Sequence, residues 1–512
     1  MNEIIESKQY IVIGSGPAGV SAAKALLNRQ VAVLMLDAGI QLDQHRNNTL
    51  NQLQLQWDEK LYAPLKHKID INNQLKLSYG SHYPYQDAEK HIGIIADKNI
   101  RCTPSFARGG LSTVWGAHID QYNTNDMQQW PITTTELNPY YQIISDILPT
   151  THHFQQSKQA KILLLHMQKH AAPLNEAGFS FKKPDLATYF NGTKKRSACF
   201  YCGNCQHGCP NKLIYSANDT LQELLLNDHF CYRNGIVVEK IIETKNDVTV
   251  LAHELNSTKK KIKFHGRKVF LAAGVISSTQ ILLNTLNLFE HSVFLKDSQH
   301  FILPCLMKRR SKDVEKEKLH TLAQLSIRIE NETISKNAIH LQIYTYMDHY
   351  QTQLKNMLRF AYPFLKPILS HFLNRLFVIQ GYFHSDESTV CKMKLSHDKK
   401  YIFIQQEKND SNSRHQLNKL ILYLFKKHHL LGFFPLPVMT QFSKSLSANH
   451  YGGSFPMQNS SQTPTTTDLL GRPNGMQKLH VVDATIFPTI PAQSITFTVM
   501  ANAYRIATEC PL

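Results

Sequence analysis

Two short runs carry most of the chemistry legible in this 512-residue chain. The first is Cys199-Phe200-Tyr201-Cys202-Gly203-Asn204-Cys205-Gln206-His207-Gly208-Cys209-Pro210. Its spacing, C-x2-C-x2-C-x3-C-P, is the bacterial ferredoxin pattern, in which thiolates ligate iron. The run occurs once, so the partner segment of a two-cluster ferredoxin is missing. A single [3Fe-4S] or [4Fe-4S] cluster would therefore use three or four of Cys199, Cys202, Cys205 and Cys209. Zinc on the same thiolates and a metal-free cysteine loop are the alternatives.

The second run is Gly14-Ser15-Gly16-Pro17-Ala18-Gly19, directly after the apolar Tyr10-Ile11-Val12-Ile13. A dinucleotide needs glycines here: Gly14 for the tight turn, Gly16 so that backbone can approach a pyrophosphate, and Gly19 for close helix–strand packing. Pro17 and Ala18 of the same turn are expected at the cofactor, and the N–H groups of the helix that follows would hold the anion. The acid at the end of the next strand, Asp37, is placed to accept hydrogen bonds from an adenosine ribose, with Ala38 beside it. The elements that must position these residues are a strand at Tyr10 to Ile13, a helix from Val20 to Asn28 and a buried strand from Val31 to Leu36, which together predict a βαβ unit.

The chain is 42% hydrophobic and 10% aromatic, which excludes a disordered protein and favours two intimately joined domains. A formal charge of +17 concentrates anions near the surface. The basic residues are scattered and no nucleic-acid motif accompanies them, so nucleic acid is not an expected partner. Met1 to Tyr10 lacks the pattern of a secretory signal, and the nine cysteines are odd in number, four of them crowded into one run. A cytoplasmic location is the expectation.

Five separated segments, in order, resemble those of the glucose-methanol-choline (GMC) oxidoreductase family, in particular a cysteine-rich bacterial branch. They are the βαβ unit; Arg108-Gly109-Gly110-Leu111-Ser112-Thr113-Val114-Trp115-Gly116; Lys268-Val269-Phe270-Leu271-Ala272-Ala273-Gly274; His450-Tyr451-Gly452-Gly453; and Leu479 to Pro488 followed by Pro491-Ala492-Gln493-Ser494. The resemblance implies an α/β fold: a Rossmann-type FAD-binding domain assembled from discontinuous segments, with an interleaved mixed-sheet substrate domain of α+β character. It implies FAD as cofactor, touched by Gly109, Gly110, Ser112, Val114 and Trp115 along the flavin, by Val238 near adenine, by Ala273 and Gly274, and by Asp483 and Ala484 at the ribityl and phosphate end. The helix start at Ile495 and Thr496 would face the flavin pyrimidine, where its partial positive charge suits the anion formed on reduction.

Oxidising an alcohol also requires a proton acceptor beside the ring. His450 matches the family's catalytic His in His-x-x-Gly, and imidazole titrates near neutrality. The family's second His or Asn is replaced by Ser494, so either His450 works alone, or Ser494 or the neighbouring Gln493 assists. The expected function is FAD-dependent oxidation of a CH–OH group, with a cluster on the cysteine run giving electrons an exit to an acceptor other than oxygen. An oxygen-using alcohol oxidase is the alternative, and a flavin-binding protein without turnover is the alternative from another class.

The expected division is a flavin domain over 1–294, including a cysteine-rich insertion at 194–215, a substrate or cap domain over 295–440, and a return to the flavin domain over 441–512. Within the cap, Thr321 to Ile329, Ala338 to Thr345 and Tyr401 to Ile404 read as strands. From Leu354 to Phe377 apolar residues repeat with helical spacing through Leu358, Leu365, Leu369, Phe372 and Leu376, flanked by Lys355, Arg359, Lys366 and Arg375. This pattern fits either a lid over the substrate or a peripheral contact with the inner face of an anionic membrane. A lid would suit a sugar or glycoconjugate, a membrane contact a lipid-linked alcohol.

Overall fold

The computed structural model describes residues 5–7, 10–66, 76–151, 153–407 and 412–512, with the side chains of His349, Gln353, Leu354, Met357, Ala361, Lys366 and Pro367 outside that description. At its centre is a five-stranded sheet in the order Leu479–Val481, Lys268–Leu271, Tyr10–Ile13, Val33–Leu36, Phe230–Arg233. Every pairing in it is parallel. Parallel strands are covered on both faces, which explains their continuous apolar runs; Tyr10, Ile11 and Val12 have no exposed surface. Leu271, Ile13 and Leu36 stand level across adjacent strands. The residues that follow them, Ala272, Gly14 and Asp37, therefore leave the sheet along one edge, where α/β folds bind their ligands.

The helix Pro17–Asn28 starts three residues earlier than the apolar pattern suggested, because proline suits the first helical turn. It packs on the last helix, Thr496–Glu509, and Asn28 Nδ2 donates to the Tyr504 hydroxyl at 2.7 Å. Here the two ends of the sequence meet in one core.

A seven-stranded sheet forms the second body. Its main path runs Phe433–Pro435, His300–Met307, Leu376–Tyr382, Ile339–Tyr344, Leu325–Ile329, Phe179–Lys182. This sheet is antiparallel throughout. The mixed pairing expected from sequence lies instead in a five-stranded sheet, where Ile402–Gln406 pairs parallel with Ile94–Ala96 and antiparallel with Cys391–Leu395. Residues from both sides of position 295 contribute to each sheet: Phe179–Lys182 edges the large one, while Met393 and Ile404 pack in the core around the parallel strands.

The apolar stretch after His349 is not one helix. Helices Asp348–Leu358 and Tyr362–Leu373 are separated at Arg359, whose φ is +43°. Leu376 and Phe377 belong to a strand, paired with Leu306 and Cys305. Periodicity alone does not separate a short apolar strand from a helix end, and here sheet pairing decides.

Candidate active site

One cavity of about 1270 Å³ runs from the edge of the parallel sheet to the face of the antiparallel sheet. Pockets for a single small ligand occupy about 300–1,000 Å³, so this one has room for a large cofactor together with a substrate. Of the residues singled out by sequence, Gly14, Gly16, Pro17, Ala18, Asp37, Ala38, Gly110, Ser112, Val114, Trp115, Val238, Ala273, Gly274, His450, Asp483, Ala484, Ser494, Ile495 and Thr496 line it. Gly19 and Gly109 are not part of the lining. A Cβ on Gly19 would sit 1.9 Å from the Gly14 carbonyl oxygen, so its role is packing. The Gly109 N–H donates to Ser15 Oγ at 2.9 Å and ties the second segment to the first.

The lining suits FAD. A Cβ on Gly16 would meet nothing within 4 Å, so backbone there is bare to the cavity. The helices beginning at Pro17 and Thr496 have no side-chain cap and no acid in the first turn, which leaves N–H donors for anionic groups. Asp37 accepts from Ser15 Oγ and, at 2.9 Å, from the Tyr232 hydroxyl; burial lifts its carboxyl to about 6 against those hydrogen bonds. Asp483 accepts from Ser278 Oγ at 2.6 Å and from the N–H groups of Gly274 at 2.9 Å and Thr485 at 3.0 Å. It ties its own segment to the Gly274–Ser278 helix start as well as facing the cavity.

His450 lies at the other end. Its ring stacks on Tyr382 with centroids 5.0 Å apart, and its Nδ1 is buried without a partner. Burial, then the nearby His118 imidazole, lowers it to about 4, so it is neutral near pH 7. His300 packs on the same tyrosine, centroids 5.0 Å apart, and burial lowers it to about 3. Ser494 Oγ is 3.2 Å from His118 Nδ1. Gln493 is a correction: it does not line the cavity, and its Nε2 donates to Asp126 Oδ2 at 2.8 Å. Asp126 is held by the Arg328 guanidinium at 3.0 and 3.1 Å, and that pair draws the glutamine away.

His118, Asp120 and His340 escaped the sequence reading. The three are buried, and their ligating atoms lie within 4.8 Å of one another. A signal was present: His118 and Asp120 alternate along an extended segment just after the Gly-rich loop, which puts both on one face.

The family model for GMC oxidoreductase matches residues 396–503, the stretch that carries His450, Asp483 and Ser494. Over that stretch the chain is similar to the GMC oxidoreductase family. Among solved structures, that of pyridoxine 4-oxidase from Mesorbium loti is similar to this chain over 98% of both chains, with a TM-score of 0.63 and 13% identity. At that identity the likeness bears on the fold alone. No curated protein sequence matches the chain significantly. GMC oxidoreductases bind FAD, in keeping with the cavity lining.

The cysteine run folds beside this cavity. Cys199, Cys202, Cys205 and Cys209 surround one small space closed by Phe200, Tyr201, Pro210 and His320. All four are free thiols, and burial pushes each up, Cys199 to about 12 and Cys202 to about 11. Gln206 and His207 of the same loop line the large cavity. Lys76 bridges the two regions: its Nζ donates to the Trp115 carbonyl at 2.9 Å, and burial lowers it to about 8, with Cys205 acting in the opposite direction.

Proposed function

We propose that this chain converts the CH–OH group of an alcohol to a carbonyl, with His450 and Ser494 at the reacting carbon. When bound, FAD supplies a two-electron hydride acceptor. The chain's part is to orient the alcohol and handle its hydroxyl proton. The observation that carries this reading is His450: a neutral, half-buried imidazole with a free ring nitrogen, in the same cavity as the Gly14–Ala18 turn and an uncapped helix start. A neutral imidazole accepts a hydrogen bond from the substrate hydroxyl, and Ser494 Oγ adds a second polar contact. The segment 295–440 is assigned the choice of substrate, and 1–294 with 441–512 the cofactor.

Electrons are assigned to an acceptor other than oxygen, by way of an iron–sulfur cluster on Cys199, Cys202, Cys205 and Cys209. The four cysteines lining one small space, and the shared loop that also lines the flavin cavity, support this. The pyridoxine 4-oxidase likeness keeps direct transfer to oxygen as the second reading. The lid supports a lipid-like or lipid-linked alcohol reached from an anionic bilayer. Phe364 and Ile368 of its second helix are 86% and 69% exposed, while Phe372 of that helix lines the cavity. No helix among the described residues is long and apolar enough to cross a membrane, so contact would be peripheral.

The test is anaerobic reduction of the purified yellow protein by a panel comprising pyridoxine, aldose sugars, glycosides and long-chain alcohols. Bleaching by at least one alcohol, slow reoxidation in air and stoichiometric iron are expected. Fast reoxidation would favour the oxidase, and no bleaching by any alcohol would favour a flavin-binding protein without turnover.

A further inference from the structure

We propose that His118, oriented by Asp120, is a second catalytic imidazole of this site and the one on which the substrate's hydroxyl proton comes to rest. The inference builds on the alcohol-oxidation reading and supplies what the last segment lacks where Ser494 stands. His118 lines the same cavity as His450 and Ser494. Its Nδ1 is 3.2 Å from Ser494 Oγ and 3.3 Å from Asp120 Oδ2. Its Nε2 is buried with no partner. Asp120 Oδ2 makes no hydrogen bond, but its charge beside Nδ1 favours the proton there, which leaves the Nε2 lone pair for the substrate.

The two imidazoles differ in what happens once they are protonated. Among the described residues no acid acts on His450, and a protonated His118 disfavours a second imidazolium there. His118 has Asp120, only 8% exposed, 3.3 Å from its Nδ1, and a buried carboxylate that near stabilises an imidazolium by its charge. Asp120 is itself held ionised: Lys182 Nζ is 3.1 Å from its Oδ1, and His340 Nε2 is 3.6 Å from its Oδ2. In the step, the alcohol O–H bond breaks and its proton bonds to His118 Nε2. The O–H electron pair becomes the second carbon–oxygen bond while the carbinol C–H pair leaves with the hydride. Asp120 keeps its charge throughout and is a positioning residue.

The groups facing His118 fix the sign of its pH response. Burial lowers its imidazole most, Asp120 and Asp185 raise it, and Lys182 lowers it; His340, His450 and Ser494 complete its polar surroundings. The variants H118N, D120N and K182M are compared with wild type for FAD content and for anaerobic flavin reduction by the fastest alcohol of the panel, across pH. With FAD retained, H118N is expected to reduce about 100-fold more slowly or worse, the usual scale of a lost general base. The acid limb of the profile should move to lower pH in D120N, which loses the carboxylate, and to higher pH in K182M, which loses the opposing cation. Nitrogen-15 histidine spectra of the wild type, assigned by difference from H118N, should show His118 protonated on Nδ1. The proposal is overturned by H118N within about threefold of wild type, by limbs that do not move apart, by an Nε2-protonated His118, or by a stoichiometric divalent ion on these residues whose removal abolishes reduction. A wild type that no alcohol reduces would instead take down the alcohol-oxidation reading beneath it.

Discussion

His340 is buried and His300 and His450 are half-buried in the walls of the reaction cavity or beside it, and desolvation lowers their imidazoles to about 3, 3 and 4. Unfolded, each would titrate near 6.5. Between those values the unfolded chain binds more protons than the folded one, so stability falls as pH drops through this window. Thermal melts should show a steep loss of Tm between about pH 6 and pH 4, lessened in H300Q. Asp37 has the opposite sign, because its folded carboxyl is raised to about 6. Its contribution is present below the unfolded value and is lost as pH rises through about 6. D37N should therefore leave the cofactor-free protein at least as stable at pH 7 while weakening FAD binding, measured by melts and by titration of the stripped protein. Replacing His450 with Asn should cost about 10²–10⁴ in the rate of flavin reduction at unchanged FAD content.

Gly16 and Gly19 separate fold from binding at the level of the element. Gly16 has φ −66° and nothing near its missing side chain, so Gly16→Val should fold with a near-native Tm and fail to retain FAD. Gly19→Ala would drive a methyl into the Gly14 carbonyl at 1.9 Å, forcing the helix off the sheet, and soluble yield is expected to collapse. This unit was legible in the sequence because a fully buried strand, a glycine turn and an Ala-rich helix are all written locally. The His118–Ile119 strand was not, since two residues show no periodicity and its partner is Leu186 with Asp185. Nor could sequence orient Gln493 against Ser494: the answer lies with Asp126 and Arg328, contributed by distant segments. The apolar repeat, interrupted at Pro363 and Pro367, runs on in sequence into Leu376 and Phe377, which the antiparallel sheet claims.

Across the whole molecule, three regions converge on one cavity: the parallel sheet edge, the face of the antiparallel sheet and the cysteine loop. The fold class was readable because its segments are spread over most of the chain, whereas the cavity wall opposite them is made by side chains such as Tyr344, Gln380 and Tyr382, gathered from neighbouring strands. The exposed Phe360, Phe364 and Ile368 lie on or next to the lid helix that shares this cavity. Wild type is expected to float with vesicles containing anionic lipid and the F360S/F364S/I368S variant to stay behind; equal behaviour of the two would remove the membrane from the account. Through all of this one nucleotide cofactor is assumed to lie along the sheet edge with its reactive ring at His450. Denaturing the purified protein and quantifying released FAD, alongside anaerobic bleaching by alcohol of wild type and H450N, tests that arrangement most directly. About one FAD per chain in both proteins, bleached in wild type and nearly unchanged in H450N, is the predicted result; a colourless protein that neither releases nor rebinds FAD, or an H450N protein bleached as fast as wild type, would contradict it.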